Sequence, residues 1–509
     1  MAEVELFVFL LFAVVVLAGL GLRSGVPYPI ALVIGGVAIG LIPGVPDAHV
    51  DPDVIFFVFL PPLLYAAAIT VSAHELRANW QPIGLLAVGL VLVTIAAVAA
   101  VANAVLGIPW AAAFVLGAVL GPTDPVSAAA VLDRLGVTGR AKTILQGESL
   151  INDASGLTVY RVALAAVAGS AGSVAHVALE LVWIVAGGVA IGVATGWVFG
   201  HLRRIVTDPS LDVALSVLTP FVAYVPAEKL HVSGILATVM AGLYIGARSL
   251  DIIEPGTRLR TLAFWESTSF LLDGMLFILI GLQVPSILRR IEDHDVSSLV
   301  GYALLITAVV MGVRILWMIA VPRLFHGDTT IPERIAIGWS GMRGGVSLAA
   351  ALAITTEGFP KRDLVIFVAY AVIVLTLVIP GLTLAPLLRK LGLEESDEQR
   401  RLEAEARKRI TEAALERLEE VGDGAPEHVV QQLRDRYGMR LERLEQRLEG
   451  QDGQHDVTVA ARLLAEMIEA ERETLRRMRR ERAFPVETLR EIERELDLDE
   501  SRLRARIRL

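Results

Sequence analysis

Thirteen apolar runs follow one another along the first 393 residues of this 509-residue chain, and they restrict its fold more than any other feature. A helix needs roughly 20 apolar residues to cross a bilayer, and backbone polar groups in hydrocarbon must bond within the membrane segment. The sequence therefore predicts an all-α polytopic membrane protein with about 13 transmembrane helices. The runs lie at about residues 4–22, 28–43, 51–70, 81–107, 110–133, 141–168, 174–203, 210–225, 231–247, 260–288, 296–322, 332–356 and 363–389.

The composition changes abruptly after Leu393. Residues 394–509 are rich in Glu, Arg, Leu and Ala and hold no long apolar run, so we expect a transmembrane domain at 1–393 and a soluble helical tail at 394–509. Leu441, Leu444 and Leu448 recur at helical spacing and predict an amphipathic helix in the tail. The charge runs there are typical of solvated helix faces, so no nucleic acid is an expected partner. Neither a P-loop nor a G-x-G-x-x-G motif after a strand occurs in the tail, so no nucleotide-binding regulatory domain is expected.

The basic residues beside the runs indicate the orientation. Arg and Lys collect in cytoplasmic loops, and most of them fall on one side when the runs are threaded through a bilayer. This places the N-terminus outside the cell membrane and the C-terminal tail in the cytoplasm, which agrees with an odd number of spans. The residues on the basic side are Arg23, Arg77, Arg134, Arg140, Lys142, Arg203, Arg204, Arg248, Arg258, Arg260, Arg323, Arg389 and Lys390.

The chain contains no cysteine, which excludes disulfides, thiol catalysis and thiolate metal sites. Its N-terminus carries acidic residues where a signal peptide would carry basic ones, so we expect the first run to be a retained span. The histidines of the membrane region fall at predicted loops or helix ends. No resident metal or cofactor is therefore predicted.

Polar residues interrupt the sixth run at 146–156, Gln-Gly-Glu-Ser-Leu-Ile-Asn-Asp-Ala-Ser-Gly. At about 100° per residue, Glu148 and Asn152 share one stripe of a helix, and Ser149 and Asp153 share the adjacent stripe. Two carboxylates and two hydrogen-bonding groups thus project into one wedge. Ionisable groups in a bilayer are costly, so the cluster indicates a functional site, with polar contacts between packed helices as the alternative.

Two other runs are broken by Gly and Pro. Gly-Pro-Thr-Asp-Pro-Val at 121–126 places Thr123 and Asp124 between two prolines, and the glycine-rich segment 338–345 carries Arg343. Irregular backbone at membrane depth is tolerated where protein or a water-filled cavity satisfies it, and half-helix ends can face an ion there. The breaks lie in the fifth and twelfth runs, seven helices apart. This spacing indicates two inverted six-helix repeats joined by a linking span. In such a layout the broken helices cross at a binding site near the middle of the membrane.

Other charges in the runs are less informative. Arg161 lies two turns after Asp153 and is either a counter-charge or a side chain that snorkels to the interface. Glu266 and Asp273 are seven residues apart in the tenth run, and Asp212 lies near the start of the eighth. Structural and functional roles are equally open for these three residues.

Four motifs together resemble the monovalent cation/proton antiporter family, in the branch of bacterial NhaP-type proteins and Na+/H+ exchangers. The resemblance covers about residues 4–391 and implies a thirteen-helix homodimer in which a core domain moves against a dimerisation domain. It implies a transporter, not an enzyme, that exchanges Na+, or Li+ or K+, for H+ by alternating access. The motifs are Phe-Leu-Pro-Pro-Leu-Leu at 59–64, Gly-Pro-Thr-Asp-Pro-Val at 121–126, Glu-Ser-Leu-Ile-Asn-Asp at 148–153 and Gly-Met-Arg-Gly-Gly at 341–345.

The resemblance also implies which residues bind the ion. Asp153 matches the carboxylate that binds both the cation and the proton, and Asn152 matches its paired amide. Ser149 and Asp124, with Thr123, match positions that contribute oxygens, so Asp153, Asp124 and Ser149 are the expected Na+ ligands. Na+ prefers such hard oxygen ligands. A carboxylate taken out of water favours its neutral or ion-bound form, so H+ and Na+ would compete for Asp153.

Glu148 and Arg343 match a buried ion pair that holds the two halves of the core together. With Glu148 neutralised in this way, Asp153 is the titrating group, which implies one ion per proton and electroneutral exchange. The chain departs from the family at one position, since many relatives carry an acid just after Leu64 where this chain has Tyr65. That departure puts in doubt any carboxylate from the third helix.

Two other classes of protein remain as alternatives, an intramembrane protease of the serine or aspartyl type and a channel. Gly-Trp-Ser-Gly at 338–341 matches the motif of a serine protease, but no histidine lies in a membrane run after Ser340. Asp124 and Asp153 are a formal pair for an aspartyl protease, without the usual glycine context. The other class is a channel. The sequence has no evident repeat for a selectivity filter, which favours alternating access over a channel.

Overall fold

The computed structural model describes residues 2–42, 54–124, 132, 140–169, 174–291, 295–321, 330–354, 358–393, 397–422, 425–449, 454–481 and 486–507. Within these residues all regular structure is helical. The chain divides into two compact units, Met1–Glu394 and Glu395–Leu509.

The first unit contains sixteen helices in the described residues, which we number in chain order. Two of them include a π-helical turn, at Ile55–Phe59 in α3 and at Leu85–Leu90 in α5. The helices are α1 (Ala2–Ser24), α2 (Tyr28–Gly40), α3 (Ile55–Thr70), α4 (Ala73–Ala78), α5 (Trp80–Leu106), α6 (Trp110–Leu120), α7 (Arg140–Val167), α8 (Val174–Ile205), α9 (Pro209–Lys229), α10 (Gly234–Ala247), α11 (Ser249–Ile252), α12 (Pro255–Arg290), α13 (Val296–Ala320), α14 (Ile331–Trp339), α15 (Gly345–Leu352) and α16 (Arg362–Lys390).

Seven helices in the described residues are long and apolar enough to cross a membrane, and four shorter apolar helices accompany them. The seven lie in α1, α5, α8, α9, α12, α13 and α16. Helix α7 is not one of them, because charged and polar residues interrupt its apolar sequence. The protein is therefore a multi-pass membrane protein, and the count of thirteen spans stays a prediction.

Both expected helix breaks are present. Helix α6 ends at Leu120, and residues 121–124 that follow are not helical; Pro125 and Val126 of the same motif lie outside the described residues. In the second break, α14 ends at Trp339 and α15 begins at Gly345, with non-helical residues between them. The arrangement of the helices as inverted repeats stays a prediction.

Glycines allow close helix packing at two other places in the first unit. Helices α2 and α12 cross at Gly36 and Gly281, where a Cβ on Gly281 would lie 2.2 Å from the carbonyl oxygen of Val33. Helices α8 and α10 approach in the same way at Gly192, whose Cβ would lie 2.3 Å from the carbonyl oxygen of Ala237. Small residues at such crossings let membrane helices pack through their backbones.

The second unit consists of four charged helices, α17 (Asp397–Val421), α18 (Glu427–Leu448), α19 (Gln454–Glu481) and α20 (Val486–Ile507). Lys408 of α17 binds Glu445 of α18 at 2.9 Å, and Arg472 of α19 binds Glu500 of α20 at 2.6 Å. The predicted apolar stripe of α18 faces inward, since Leu444 is buried.

Candidate cation site

Helix α7 carries the polar wedge that the sequence predicts. Glu148, Ser149, Asn152 and Asp153 are all buried within the first unit, and Asn152 is completely inaccessible. Gly156, one turn further along, packs against the proline of the first break, because a Cβ there would lie 2.2 Å from Pro122 Cγ. The polar side chains are therefore held next to the broken helix α6.

Thr123, in the first break, joins two of these side chains. Its hydroxyl donates to Glu148 Oε1 at 2.9 Å and accepts from Asn152 Nδ2 at 2.8 Å. The same amide nitrogen also donates to the carbonyl oxygen of Thr123 at 3.0 Å. Asn152 Oδ1 is buried and has no hydrogen-bond partner within the described part of the chain. A buried acceptor of this kind is available to a cation.

The two breaks bond directly to each other. The backbone N–H of Asp124 donates to the carbonyl oxygen of Met342 at 2.8 Å, and Arg343 Nε donates to the carbonyl oxygen of Leu120 at 3.1 Å. Gly344 leaves room for this contact, since a Cβ there would lie 2.2 Å from Asp124 Oδ2. Backbone groups freed by the breaks are thus satisfied within the protein, as the membrane interior requires.

The buried ion pair differs from the one expected from the sequence. Glu148 pairs with Arg314 of α13, through Nη1–Oε1 at 2.5 Å and Nη2–Oε2 at 2.8 Å, and not with Arg343. Arg314 also donates from Nε to the carbonyl oxygen of Ile337 at 3.2 Å. The physical reason is that Arg343 turns its guanidinium to the carbonyl oxygens of Leu120 and Gly341.

The sequence did contain a signal for Arg314. It is the single charged residue of α13, a helix otherwise apolar over 25 residues. A charge at such a position is a functional candidate, with a carboxylate as its expected partner.

Asp153 lies in a different electrostatic setting from Glu148. Within the described residues no salt bridge reaches its carboxylate, and it interacts instead with the negative charge of Asp124. Ser149 is buried one turn earlier, but no hydrogen bond of the described residues joins it to the network. The structure thus groups Thr123, Asp124, Asn152 and Asp153, and places Ser149 beside them.

Asp273 is a further acidic residue that the sequence left open between two roles. It is buried in α12, and its carboxyl group also interacts with that of Asp124. Leu276, one turn along the same helix, packs against Gly345. The preceding residue, Gly344, contacts Asp124. Asp273 therefore approaches the site from a helix that supplies no motif residue.

Two of the other charges in the membrane runs, Arg161 and Asp212, have partners away from Asp153, whereas Glu266 is exposed. Arg161 binds Glu228 at 2.7 Å, so its counter-charge lies on α9. Asp212 pairs with Arg203 at 2.5 Å in a second buried ion pair between α8 and α9. Within the described residues, no group of three or more His, Asp or Glu side chains is arranged to hold a metal ion.

Comparison with known proteins places this geometry in a family. Residues 8–390 match the family model of the transmembrane sodium/hydrogen exchangers. An uncharacterised Na+/H+ exchanger of Mycobacterium tuberculosis is 34% identical, over 97% of this chain and 95% of its own length. The chain belongs to the sodium/hydrogen exchanger family.

Two further similarities agree with this assignment. The low-affinity Na+/H+ antiporter NhaS1 of Synechocystis is 30% identical over 79% of this chain and 78% of its own length. In fold, the chain is similar to the sodium proton antiporter MjNhaP1 of Methanocaldococcus jannaschii, with a TM-score of 0.65 at 18% identity over 78% of this chain and 100% of that one.

Membership of the exchanger family makes the chain a membrane antiporter that handles monovalent cations and protons. The structure also argues against a serine protease with Ser340 as its nucleophile. Ser340 is buried and donates its hydroxyl to the carbonyl oxygen of Ala336 at 2.6 Å. A hydroxyl held by its own helix in this way is not presented to a substrate.

Proposed function

We propose that this protein exchanges Na+ for H+ across the cell membrane through Asp153, by alternating access and without net charge movement. The observation that carries the proposal is the contrast between two buried acids on one helix. Glu148 is neutralised by Arg314, whereas the carboxylate of Asp153 meets no cation within salt-bridge distance in the described residues. A buried carboxylate without a counter-charge must be neutralised by H+ or by a bound cation.

We infer that oxygen atoms suited to Na+ lie beside that carboxylate. Asn152, the chain neighbour of Asp153, has an unpartnered Oδ1, and its amide nitrogen binds the hydroxyl of Thr123. The carboxylate of Asp124 interacts electrostatically with that of Asp153. Ser149 would complete the set from the same face of α7. These are hard ligands, which favour Na+ and Li+ and also admit K+. If the binding site can change sides of the membrane only when Asp153 holds Na+ or H+, each Na+ that crosses one way is matched by one H+ that crosses the other way.

The third helix supplies no carboxylate next to this site. Tyr65, which stands where many relatives carry an acid, is completely buried, and its ring lies 5.3 Å from that of Trp265. Its hydroxyl accepts a hydrogen bond from Ser216 at 3.5 Å. We infer that the acid missing from α3 is not replaced there, and that α7 and the first break provide the ion ligands.

Transport by the purified protein in lipid vesicles tests this function. A preset pH gradient should collapse on addition of Na+, and the rate with Na+, Li+ and K+ across a pH series gives the selectivity. Clamping the membrane potential at two values should leave the rate unchanged if exchange is electroneutral. Sodium current without proton movement would indicate a channel and contradict the proposal.

We propose that the protein is a homodimer with its N-terminus outside and its tail in the cytoplasm. The distribution of basic residues supports this orientation. Because the chain has no cysteine, single cysteines can be introduced at Leu41 and at Glu419 without background. An impermeant thiol reagent applied to whole cells should label the first position and not the second, whereas the reverse pattern would contradict the orientation.

A further inference from the structure

A small basic cavity lies between α8 and α10, far along the chain from the polar wedge of α7. Its volume is about 160 Å³, and its walls include Trp197, Gly200, His201 and Arg204 of α8, Tyr244 of α10, and Arg248 at the end of α10. A cavity of this size is too small for a drug-sized molecule but suits a compact polar group.

The charge of the cavity is positive and uncompensated. Arg204 and Arg248 are exposed, and within the described residues neither forms a salt bridge. No acidic side chain is part of the wall. The neighbouring Arg203 differs, because it is buried and binds both oxygens of Asp212. One arginine of this adjacent pair therefore stabilises the fold, while the other faces an open cavity.

Packing fixes the orientation of the basic groups. The guanidinium carbon of Arg248 lies 4.0 Å from the centre of the Tyr244 ring, a cation–π contact. The ring of Trp197 lies 5.0 Å from that of His201. Gly196 lets Tyr244 approach α8, since a Cβ there would lie 2.8 Å from Tyr244 Cβ. The Tyr244 ring thus holds Arg248 at the wall of the cavity, opposite the Trp197 and His201 rings of α8.

The surface beside the cavity is apolar and faces away from the protein. Val193, Trp197 and Val198 on the adjoining part of α8 are all exposed. A tryptophan next to basic residues at a helix end is typical of the membrane–water interface. A ligand of this cavity would therefore have an anionic group between the arginines and could extend hydrocarbon along α8.

We propose that this cavity binds the phosphate group of an anionic phospholipid, with Arg204 and Arg248 as the anion ligands. Basic pockets between membrane helices recognise phospholipid head groups in this way. Trp197 lies at the level of the head group, and the acyl chains follow the exposed face of α8. Free phosphate shares the anionic chemistry but would not use the apolar surface.

Native mass spectrometry of the delipidated full-length protein tests the proposal. The protein in detergent is titrated with dioleoylphosphatidylglycerol, with the zwitterionic dioleoylphosphatidylcholine, and with inorganic phosphate. We expect saturable binding of the anionic lipid at one site per chain. The R204Q/R248Q variant should bind it about 30-fold more weakly, from a factor of about five for each arginine near a lipid surface, while R204K/R248K should keep most of the affinity.

Arg260→Gln is the matched control, because Arg260 is exposed at the beginning of α12 and does not line the cavity. This variant should bind the anionic lipid like the unmodified protein. Equal loss in R260Q and R204Q/R248Q, or equal binding of the two lipids, would overturn the proposal. Inorganic phosphate that binds as tightly as the anionic lipid would also overturn it, since the cavity would then be a free-phosphate site.

Discussion

The two ends of the polar wedge on α7 are built differently, although Glu148 and Asp153 are only five positions apart in the sequence. At the Glu148 end, a carboxylate receives two bonds from Arg314 and one from Thr123, so its charge is fully compensated. At the Asp153 end, the carboxylate is also buried but interacts with the negative charge of Asp124. Within the described residues it forms no salt bridge. The first arrangement is suited to holding helices together, and the second to binding a cation.

This contrast shows that burial alone does not identify a transport residue. Glu148 and Asp153 are both buried acids of the same motif, yet the structure provides a counter-charge to Glu148 alone. The Arg203–Asp212 pair makes the same point outside the site, since it is buried and fully paired between α8 and α9. An acid that the protein leaves uncompensated is the better candidate for ion exchange.

Neutralising Asp153 should have the largest effect on transport. Asp153→Asn keeps nearly the same volume but cannot bind H+ or hold the negative charge for Na+. We expect exchange in vesicles to fall by at least about 100-fold, as for the loss of a group that takes up and releases the proton, with the unfolding temperature nearly unchanged. Retention of substantial pH-dependent Na+ exchange by a folded D153N protein would remove Asp153 from its role.

Breaking the Glu148–Arg314 pair should have the largest effect on stability. Leaving one buried charge without its partner costs about 3–5 kcal/mol. We expect Glu148→Gln and Arg314→Gln each to destabilise the protein in detergent by that amount, and the double variant to recover part of the loss.

The same double-mutant cycle on Glu148 and Arg343 is the control. Because Arg343 bonds to backbone carbonyls, its coupling to Glu148 should be the smaller of the two. A larger coupling to Arg343 than to Arg314 would restore the pair expected from the sequence and contradict the structure.

Asp273 should affect the cation affinity of the Asp153 end more than its turnover. In its ionised form Asp273 adds negative charge beside Asp124, an interaction that acts at an effective dielectric constant near 20. We expect Asp273→Asn to raise the Na+ concentration for half-maximal exchange by about 10-fold, with the maximal rate within a factor of about three. Glu266→Gln, seven residues earlier on an exposed position of α12, is the matched control. Complete loss of exchange in D273N would make Asp273 a primary ligand instead.

Much of the architecture could be predicted because membrane helices follow local rules. Apolar runs give the helices, and glycine and proline give the breaks at 121–124 and 340–344. The polar wedge of α7 also follows from spacing alone, since residues four apart share a helix face. Each of these inferences depends on neighbours within about two turns of the chain.

The partners of the buried charges could not be predicted in the same way. Glu148 and Arg314 are 166 residues apart, and their contact depends on how α13 packs against α5 and α14. The motif pattern favoured Arg343 because it belongs to a recognisable signature, while Arg314 stands alone in an apolar helix. Asp273 was left open for the same reason, since its proximity to Asp124 comes from the packing of α12 on α15.

Removing the tail should have the smallest effect, because neither end of the wedge includes a residue after Leu393. A chain ending at Leu393 retains both broken helices and every proposed ion ligand. We expect it to exchange Na+ for H+ at a rate within about threefold of the full chain, with a shifted pH profile if the tail binds inward-facing and outward-facing states unequally. Transport measured in vesicles, with insertion verified by the amount of folded protein recovered, checks this. An inserted, folded but inactive truncation would show that the contrast within α7 is not sufficient for exchange.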